Sequence, residues 1–265
     1  MTTINQQPAA VPVPGRSPRA EAVTITQYSR WAIVAIWAAA VLPMGVLAWV
    51  VAPAIANGRG GMPLARALLV CLTAGLIWQF VLVAALVGYE QQSLRWSRIG
   101  PALWLQSPRS PRTGRVGGRV WLVVLPLIAG FAVHQLAPSL PHPVSYDLGK
   151  FLSSAAGKMM FHGSWGWVAV AITMFIFNSV LGEELLFRGL LLPRMNGAFG
   201  DRDWVVNGVL FAAYHVHAPW AIPVNLVDTL LISYPVKRFR SAWIGIAVHS
   251  AQNVVFTLLL LRLVL

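Results

Sequence analysis

Long apolar runs alternate with short polar segments along most of the chain. Seven such runs are separated by turns and loops that contain glycine, proline or charged residues. The longer runs exceed the roughly 20 residues that a helix needs to cross a hydrocarbon core. This pattern predicts an all-α fold, a polytopic transmembrane helical bundle whose polar-bearing helices enclose a cavity within the membrane. The seven predicted spans cover residues 31–56, 64–89, 120–137, 165–192, 204–217, 222–236 and 242–265.

The segments outside the spans suggest three parts. Residues 1–28 are polar, contain four prolines and lack the basic-then-apolar pattern of a cleaved signal peptide, so we predict a disordered N-terminal tail. Residues 29–164 hold the N-terminal transmembrane helices and loops, including an interfacial helix within 147–161. Residues 165–265 form the core that carries the candidate chemistry.

Composition and charge support a membrane protein. The chain is 57% hydrophobic and 11% charged, whereas an ordinary soluble domain is about 25% charged. The net charge is +12, and with a cytoplasmic N-terminus 15 of the 20 basic residues fall on the cytoplasmic side. The positive-inside rule explains this bias, so we expect a multi-pass cell-membrane protein among membrane lipids and no nucleic-acid partner. The arginine-rich loop 95–119 either sets the topology or binds anionic lipid.

The single cysteine limits the chemistry further. Cys71 lies inside a predicted span. One cysteine excludes a disulfide within the chain and a cysteine metal cluster.

Several polar side chains interrupt the apolar spans, although an ionisable group at the bilayer centre costs roughly 2.5–3.5 kcal/mol on insertion scales. They occur on three different spans. At 1.5 Å per residue, those with the clearest chemistry lie about 11–17 Å from the same membrane edge. We therefore predict that three helices bring them together near the middle of the membrane. The residues are Glu183, Glu184, Arg188, His215, His249 and Asn253.

The spacing of these residues predicts their roles. Glu184 and Arg188 are four residues apart on one helix face, which favours a buried intrahelical ion pair. Glu183 points elsewhere, and a carboxylate without a full partner in a low-dielectric site suits a general base. His249 and Asn253 also share a face, and together they present two donors to one point, as an oxyanion site requires.

The fifth span adds histidines to this set. Phe211 and His215 share a face, so we predict that the two rings pack together. A single intramembrane histidine is more often a core residue, but His215 together with Glu183 is hard to explain by packing alone. His217 is predicted to be interfacial, and Asn178, Asn225 and Asp228 to line or support the site.

Three short motifs resemble one family. EELLFR, residues 183–188, is similar to the EExxxR motif of the CPBP group, which contains CAAX prenyl endopeptidases, bacteriocin-processing proteins and their bacterial relatives. FAAYH, residues 211–215, resembles the FxxxH motif of that group, and HSAQN, residues 249–253, its HxxxN motif. The order of the motifs fits as well, and the resemblance covers residues 165–265.

The resemblance implies an activity and roles for its residues. A member of this group is expected to be an intramembrane endopeptidase acting on a membrane-tethered or prenylated peptide or protein. Glu183 would activate a water, assisted by His215, and His249 and Asn253 would stabilise the oxyanion. Glu184, counted with the catalytic set, and Arg188 would hold the motif helix.

The metal requirement stays open at this point. A glutamate-type mechanism needs no cofactor, whereas a metalloprotease would use a divalent metal such as zinc. Zinc accepts histidine and carboxylate ligands, which here would be Glu183, His215 and His249. The chain has no HExxH motif, so we favour the glutamate mechanism.

Other functions are also compatible with intramembrane polar residues. One is a non-proteolytic membrane scaffold or bacteriocin-immunity protein that keeps the motifs for packing. Another is a proton-coupled transporter, although such carriers usually contain an internal repeat, and we find none. Serine and aspartyl intramembrane proteases fit less well, because Ser164 and Asp147 lie in a predicted loop and no Gly-x-Gly-Asp motif occurs.

Overall fold

The computed structural model describes residues 23–58, 63–137 and 140–265, and within these residues it is helical and contains no strand. Four of its helices are long and apolar enough to cross a membrane. Two shorter helices, α3 and α5, complete the main bundle. The six are α1 Arg30–Asn57, α2 Leu64–Gln91, α3 Gly118–His134, α4 Trp165–Arg194, α5 Asp203–Tyr214 and α6 Ala242–Val264. The prediction of a helical membrane bundle is confirmed.

Short helices fill the connections between these six. The predicted span 222–236 is broken, because its first turn, Ile222–Asn225, is separate from the helical stretch that begins at Thr229. The predicted span 204–217 ends early, at Tyr214. The count of seven spans therefore stays a prediction. The other short helices are Trp96–Ala102, Leu148–Ser153, Ala155–Phe161, Asn196–Phe199 and Tyr234–Phe239, with 3-10 turns at Val144–Tyr146, Gly200–Arg202 and Pro219–Ala221.

Three of the long helical stretches widen into π-helix just before a proline. The π-helical residues are Leu47–Val51, Leu185–Leu191 and Thr229–Ser233, and each stretch ends two residues before Pro53, Pro193 or Pro235. Proline has no N–H to donate, and its ring crowds the carbonyl four residues earlier. One extra residue in the turn relieves this crowding, as π-bulges do.

A fourth π-helical stretch lies earlier in α4. Phe177–Gly182 precedes no proline. A Cβ on Gly182 would lie 3.0 Å from the carbonyl oxygen of Leu76 on α2. This glycine therefore lets the backbones of α4 and α2 approach closely. The two π-helical stretches of α4 flank Glu183 and Glu184 on both sides.

α4 is the centre of the bundle. It packs against α2 on one side and against α6 on the other, while α1 covers α2, and α3 packs on α6. Every residue from 182 to 195 is buried. The half of α4 that holds the polar motif is thus enclosed by protein on all sides, as ionisable residues in membrane helices generally are.

Several helix ends meet at one end of the bundle, which we call the basic end and define as residues 90–119, 194–204 and 237–242. The Tyr28 N–H donates to the Arg194 carbonyl at 2.9 Å, and Arg194 forms an ion pair with Glu90 at 2.6 Å. The Ala242 N–H donates to the Trp104 carbonyl at 2.8 Å. These bonds tie the ends of α2, α4 and α6 together.

Of the predicted N-terminal tail, residues 1–22 lie outside the described residues. The remaining tail residues, 23–28, are described, and Gln27 and Tyr28 contact the basic end. Gln27 donates to the Pro193 carbonyl at 3.0 Å, and the Gly197 N–H donates back to the Gln27 side chain at 2.8 Å. The last residues before α1 are therefore bonded to the C-terminal end of α4.

The loop between α3 and α4 packs at the opposite end. The helix predicted within 147–161 is present as two short helices, because Ser154 caps the second one by accepting from the Gly157 N–H. Aromatic rings join this loop to the bundle: Trp49 stacks on Tyr146 with ring centroids 4.5 Å apart, and His142 stacks on Trp220 at 4.9 Å. The loop therefore lies over the helices that form the site.

Candidate active site

Glu184 is the centre of a buried polar network. Its Oε1 accepts from Arg188 Nη1 at 2.9 Å and lies 3.1 Å from His249 Nδ1. Glu184 and Arg188 are both fully buried, which confirms the predicted intrahelical ion pair. The network thus links α4 to α6 through a single carboxylate oxygen.

Close packing holds this network in place. The Arg188 guanidinium lies 3.9 Å from the centroid of the Phe211 ring, a cation–π geometry. On the other side, a Cβ added to Gly245 would overlap Glu184 Oε2. Only glycine lets α6 come this close to the carboxylate.

Glu183 occupies a different environment, although it is the next residue. It is buried, and it lines a cavity of about 240 Å³. Tyr214, at the end of α5, lines the same cavity and carries a hydroxyl group. That hydroxyl accepts from Gln79 Nε2 on α2 at 2.6 Å. Glu183 therefore faces the cavity, whereas Glu184 faces Arg188 and His249.

The cavity beside Glu183 is mostly apolar with a few polar groups. α1, α2, α4 and α6 all contribute to it, and Gly149 and Leu152 of the loop between α3 and α4 cover part of it. A concave apolar site with a small number of polar groups is the usual form of a ligand pocket. Its polar lining, besides Glu183 and Tyr214, consists of Asn178, His217, Gln252 and Asn253.

His249 has partners on both ring nitrogens. Nδ1 faces Glu184, and Nε2 lies 3.4 Å from Asn178 Nδ2. Its ring centroid is 6.2 Å from that of Phe211. If the imidazole is neutral, the carboxylate holds the proton on Nδ1 and leaves Nε2 as an acceptor for the Asn178 amide.

Asn253 lies one turn beyond His249 on α6 but is held by α4. Its Nδ2 donates to Ser179 Oγ at 2.7 Å and to the Phe175 carbonyl at 3.1 Å. In this structure its amide protons and the Nδ1 of His249 are directed at protein partners rather than at one common point.

His215 lies just outside α5 rather than within a helix. Its Nδ1 is 3.0 Å from the Phe211 carbonyl, and its ring packs edge-on to Phe211 at 5.0 Å between centroids. The predicted packing of these two rings is confirmed. The irregular backbone after Tyr214 also brings the ring centroid of His217 to 5.4 Å from that of His215.

Two cavity residues were missed or misread from the sequence. Tyr214 was not singled out, because a tyrosine in an apolar helix resembles any core aromatic. His217 was predicted to be interfacial, but it lines the cavity with Glu183. Its placement depends on the non-helical turn at 215–218, which Pro219 could have indicated.

The alternative zinc ligands do not fit together. Within the described part of the chain, no three side chains of His, Cys, Asp or Glu form a group that could hold a metal ion. His249 already directs one ring nitrogen at Glu184 and the other at Asn178. Glu183, His215 and His249 are therefore not grouped as metal ligands in this arrangement, and the metal requirement stays a prediction.

Comparison with known protein families adds a match to this geometry. Residues 159–255, a little over a third of the chain, match the family model described as type II CAAX prenyl endopeptidase Rce1-like. All three motifs lie within the matched residues. The match supports membership of the CPBP family. No curated protein and no solved structure matches the chain. At the family level, this match and the four long apolar helices support a membrane protein of the CAAX-type intramembrane protease class.

Proposed function

We propose that the chain is an intramembrane endopeptidase that hydrolyses a peptide bond of a membrane-tethered or lipidated substrate. One observation carries the proposal, namely the different environments of the two adjacent glutamates. Glu184 is committed to Arg188 and His249, whereas Glu183 lines a cavity. A carboxylate that faces an enclosed cavity is placed to act on a bound water.

The proposed reaction uses Glu183 as the general base. Glu183 takes a proton from a water in the cavity, and the resulting hydroxide attacks the scissile carbonyl carbon. The carbonyl π electrons move to the oxygen and form a tetrahedral oxyanion. When the C–N bond breaks, the proton held by Glu183 passes to the leaving amine, so the carboxylate is regenerated.

The oxyanion requires donors, which we assign to His249 and Asn253. His249 would donate from Nε2 when its ring is protonated, and the Asn253 amide would donate after turning away from Ser179. His215 would assist the water from its second ring nitrogen. The Tyr214 hydroxyl is a further donor that the sequence had not indicated. Each such donor in a water-poor site contributes to transition-state stabilisation.

Glu184 and Arg188 have a positioning role in this scheme. Their ion pair fixes the rotamer of Glu184, and Glu184 in turn orients the His249 ring through Nδ1. The mechanism resembles a metal-free hydrolysis, in which these chain residues alone supply the base and the oxyanion donors.

The cavity also favours a substrate class. Its wall is largely made of apolar side chains, including Met44, Leu72, Leu76, Met174 and Phe256. Such a surface suits an extended peptide next to a lipid chain. Together with the prenyl endopeptidase family match, this supports a prenylated or otherwise lipid-linked substrate.

The test compares purified protein and variants on a quenched lipidated peptide in detergent. Glu183→Gln keeps the side-chain volume and removes the base, and we expect cleavage to fall at least about a hundredfold, the lower range for loss of a general base. Asp201→Asn, an exposed carboxylate away from the cavity, is the matched control and should cleave as wild type does. Cleavage that survives Glu183→Gln would remove Glu183 from the mechanism.

A chelator arm separates the glutamate mechanism from a metal-dependent one. We expect cleavage to persist with a strong chelator, and a loss that added zinc restores would bring the metal ligands back. If wild type cleaves no member of a panel of lipidated peptides, the scaffold or immunity function gains support. Proton-coupled flux in liposomes that Glu183→Gln abolishes would support a transporter instead.

A further inference from the structure

A second cavity lies away from the candidate active site, at the basic end of the molecule. Its volume is about 530 Å³. Residues from three separated parts of the chain line it: the loop between α2 and α3, the start of α5, and the segment before α6. Its charged lining consists of Arg109, Lys237, Arg238, Arg240 and Asp201.

The charges around this cavity are unbalanced. Lys237 is paired with Asp203. Within the described residues, no carboxylate forms an ion pair with the guanidinium groups of Arg109, Arg238 or Arg240, and all three residues are exposed. Against the single carboxylate of Asp201, an excess of two positive charges remains. An anion that enters the cavity would offset this excess and accept bidentate hydrogen bonds from arginine.

Backbone hydrogen bonds hold the loop that supplies Arg109. The Arg109 N–H donates to the Phe239 carbonyl at 2.9 Å, and the Ser241 hydroxyl donates to the Gln106 carbonyl at 2.6 Å. The loop is therefore docked against the segment that carries the other two arginines. These bonds place Arg109 at the same cavity as Arg238 and Arg240.

The backbone at Arg240 supports this interpretation. Arg240 adopts the left-handed conformation with φ of 50°, which residues other than glycine seldom adopt. Its carbonyl accepts from Gln106 Nε2 at 3.1 Å. This bond ties the unusual turn to the docked loop, so the side chain of Arg240 leaves the backbone in a defined direction.

The other side of the cavity is suited to the membrane interface. Trp204 and Tyr234 line it and form an edge-to-face pair with ring centroids 5.0 Å apart, and such residues concentrate where lipid headgroups lie. Apolar Val205, Val209 and Leu230 are exposed on the same two helical segments. A free phosphate would use only the arginines, whereas a phospholipid would also cover these apolar side chains.

We propose that this cavity binds the phosphate headgroup of an anionic phospholipid, held by Arg109, Arg238 and Arg240. The acyl chains run along Trp204 and the exposed valines of α5. Basic cavities between membrane helices bind such headgroups in general. The site is separate from the proposed hydrolytic activity, so either proposal can fail without the other.

The test measures lipid retained by the full chain in native mass spectrometry. Detergent-purified protein is incubated with phosphatidylglycerol or, in parallel, phosphatidylcholine. The test variant is Arg109→Gln/Arg238→Gln/Arg240→Gln. The matched control, Arg112→Gln/Arg115→Gln/Arg119→Gln, removes the same charge from exposed positions of the basic end that do not line the cavity.

We expect wild type and the control to retain phosphatidylglycerol in preference to phosphatidylcholine. The test variant should lose that preference by about tenfold or more, as expected when three basic contacts to an anionic lipid are removed. An equal loss in both variants would show a general charge effect and overturn the site. If the triple variant does not fold, Arg238→Gln replaces it, because that side chain is exposed and makes no ion pair within the described residues.

A competition arm distinguishes a lipid from a free anion. Inorganic phosphate is added to the phosphatidylglycerol complex at increasing concentration and constant ionic strength. Retention of the lipid supports the proposal, because the apolar contacts remain. Complete displacement at the phosphate concentration that protects the lipid-free protein against heat would overturn it in favour of a site for free phosphate.

Discussion

Two buried arginines six residues apart on α4 differ in how fully they are bonded. Arg194 donates from all three guanidinium nitrogens, to both carboxylate oxygens of Glu90 and to the carbonyls of Ala102 and Leu190. Arg188 donates only from Nη1 to Glu184, and its Nε and Nη2 have no partner among the described residues. Both side chains are fully buried.

The difference separates a structural pair from a pair at the candidate site. A saturated guanidinium that bridges α2 and α4 contributes to the fold, since each buried donor has an acceptor. An arginine left with free donors beside an aromatic ring is costly, and such groups persist where a site requires them. We therefore expect Arg194 to govern stability and Arg188 to govern activity.

The largest expected effect comes from removing Arg194. Arg194→Met leaves Glu90 as an uncompensated buried charge and should lower the free energy of unfolding by about 3–5 kcal/mol. Arg188→Met should cost less stability, because Glu184 keeps His249 as its second partner, but it should abolish cleavage of the lipidated peptide. Denaturant unfolding in detergent, together with the cleavage assay, measures both.

A double variant is the control for Arg194. Glu90→Gln together with Arg194→Met removes both charges and should recover part of the lost stability. The comparison would fail if Arg188→Met destabilised the protein as much as Arg194→Met.

The next effect concerns the close approach of α6 to Glu184. Gly245→Ala places a methyl group on the carboxylate and should cost about 1–3 kcal/mol, as overpacking does, while reducing cleavage through the displaced Glu184. Gly166→Ala is the matched control on α4, because a Cβ there has nothing within 4 Å. Thermal unfolding with equal melting temperatures for the two variants would contradict the packing described here.

A smaller effect is expected at Glu183, the glutamate that lines the cavity. Tyr214→Phe removes the hydroxyl that accepts from Gln79, on a side chain that lines the cavity with Glu183. We expect a loss of about 0.5–1.5 kcal/mol in unfolding free energy and a clear drop in the cleavage rate. Tyr89→Phe makes the same change at an exposed position that does not line the cavity, and is the comparison variant. Unchanged cleavage by Tyr214→Phe would leave Tyr214 with a packing role only.

The smallest effect belongs to an ion pair in the loop between α3 and α4. His142 Nδ1 contacts the Leu140 carbonyl at 2.8 Å and Nε2 contacts Asp147 at 2.9 Å, so both bonds require the doubly protonated ring. The Leu140 bond, and then that to Asp147, raises the pKa of His142. Burial raises the pKa of Asp147, but the bonds from the Lys150 N–H and His142 outweigh it and hold that pKa below its usual range.

These shifts give opposite pH limits. A raised His142 pKa means that its contribution is complete below the ordinary histidine pKa of 6.5 and is lost as pH rises through the raised value. A lowered Asp147 pKa means that its contribution is complete above 3.8 and is lost as pH falls through the lowered value. Amide exchange in residues 140–153 should therefore be slowest between these limits. After correction for the intrinsic rate, His142→Gln should remove the upper limit, and an unchanged profile would refute the assignment.

Much of the site could be predicted because it depends on spacing within single helices. The Glu184–Arg188 pair and the packing of Phe211 on His215 both follow from residues four apart. What could not be predicted depends on departures from the α-helical period. α4 is π-helical on both sides of Glu183, and α5 ends before His215, so side-chain directions beyond one turn drift from those of an ideal helix.

The overall fold could likewise be predicted in part from the sequence. Apolar length alone identifies α1, α2, α4 and α6. It does not distinguish a seventh span from short helices such as Ile222–Asn225, because burial of those residues depends on partners far along the chain. The regular position of Pro53, Pro193 and Pro235 behind the π-helical stretches is a sequence feature that could have indicated them.

The bond between Glu90 and Arg194 joins residues 104 positions apart, and this separation has a consequence for biogenesis. α2 is synthesised long before α4. Until α4 is made, Glu90 therefore lies at the end of a membrane helix without Arg194. α4 carries four ionisable residues, each costly in lipid on its own. It therefore becomes stable in the membrane only beside the helices already there. The order of synthesis thus makes the earlier helices the platform on which α4 assembles.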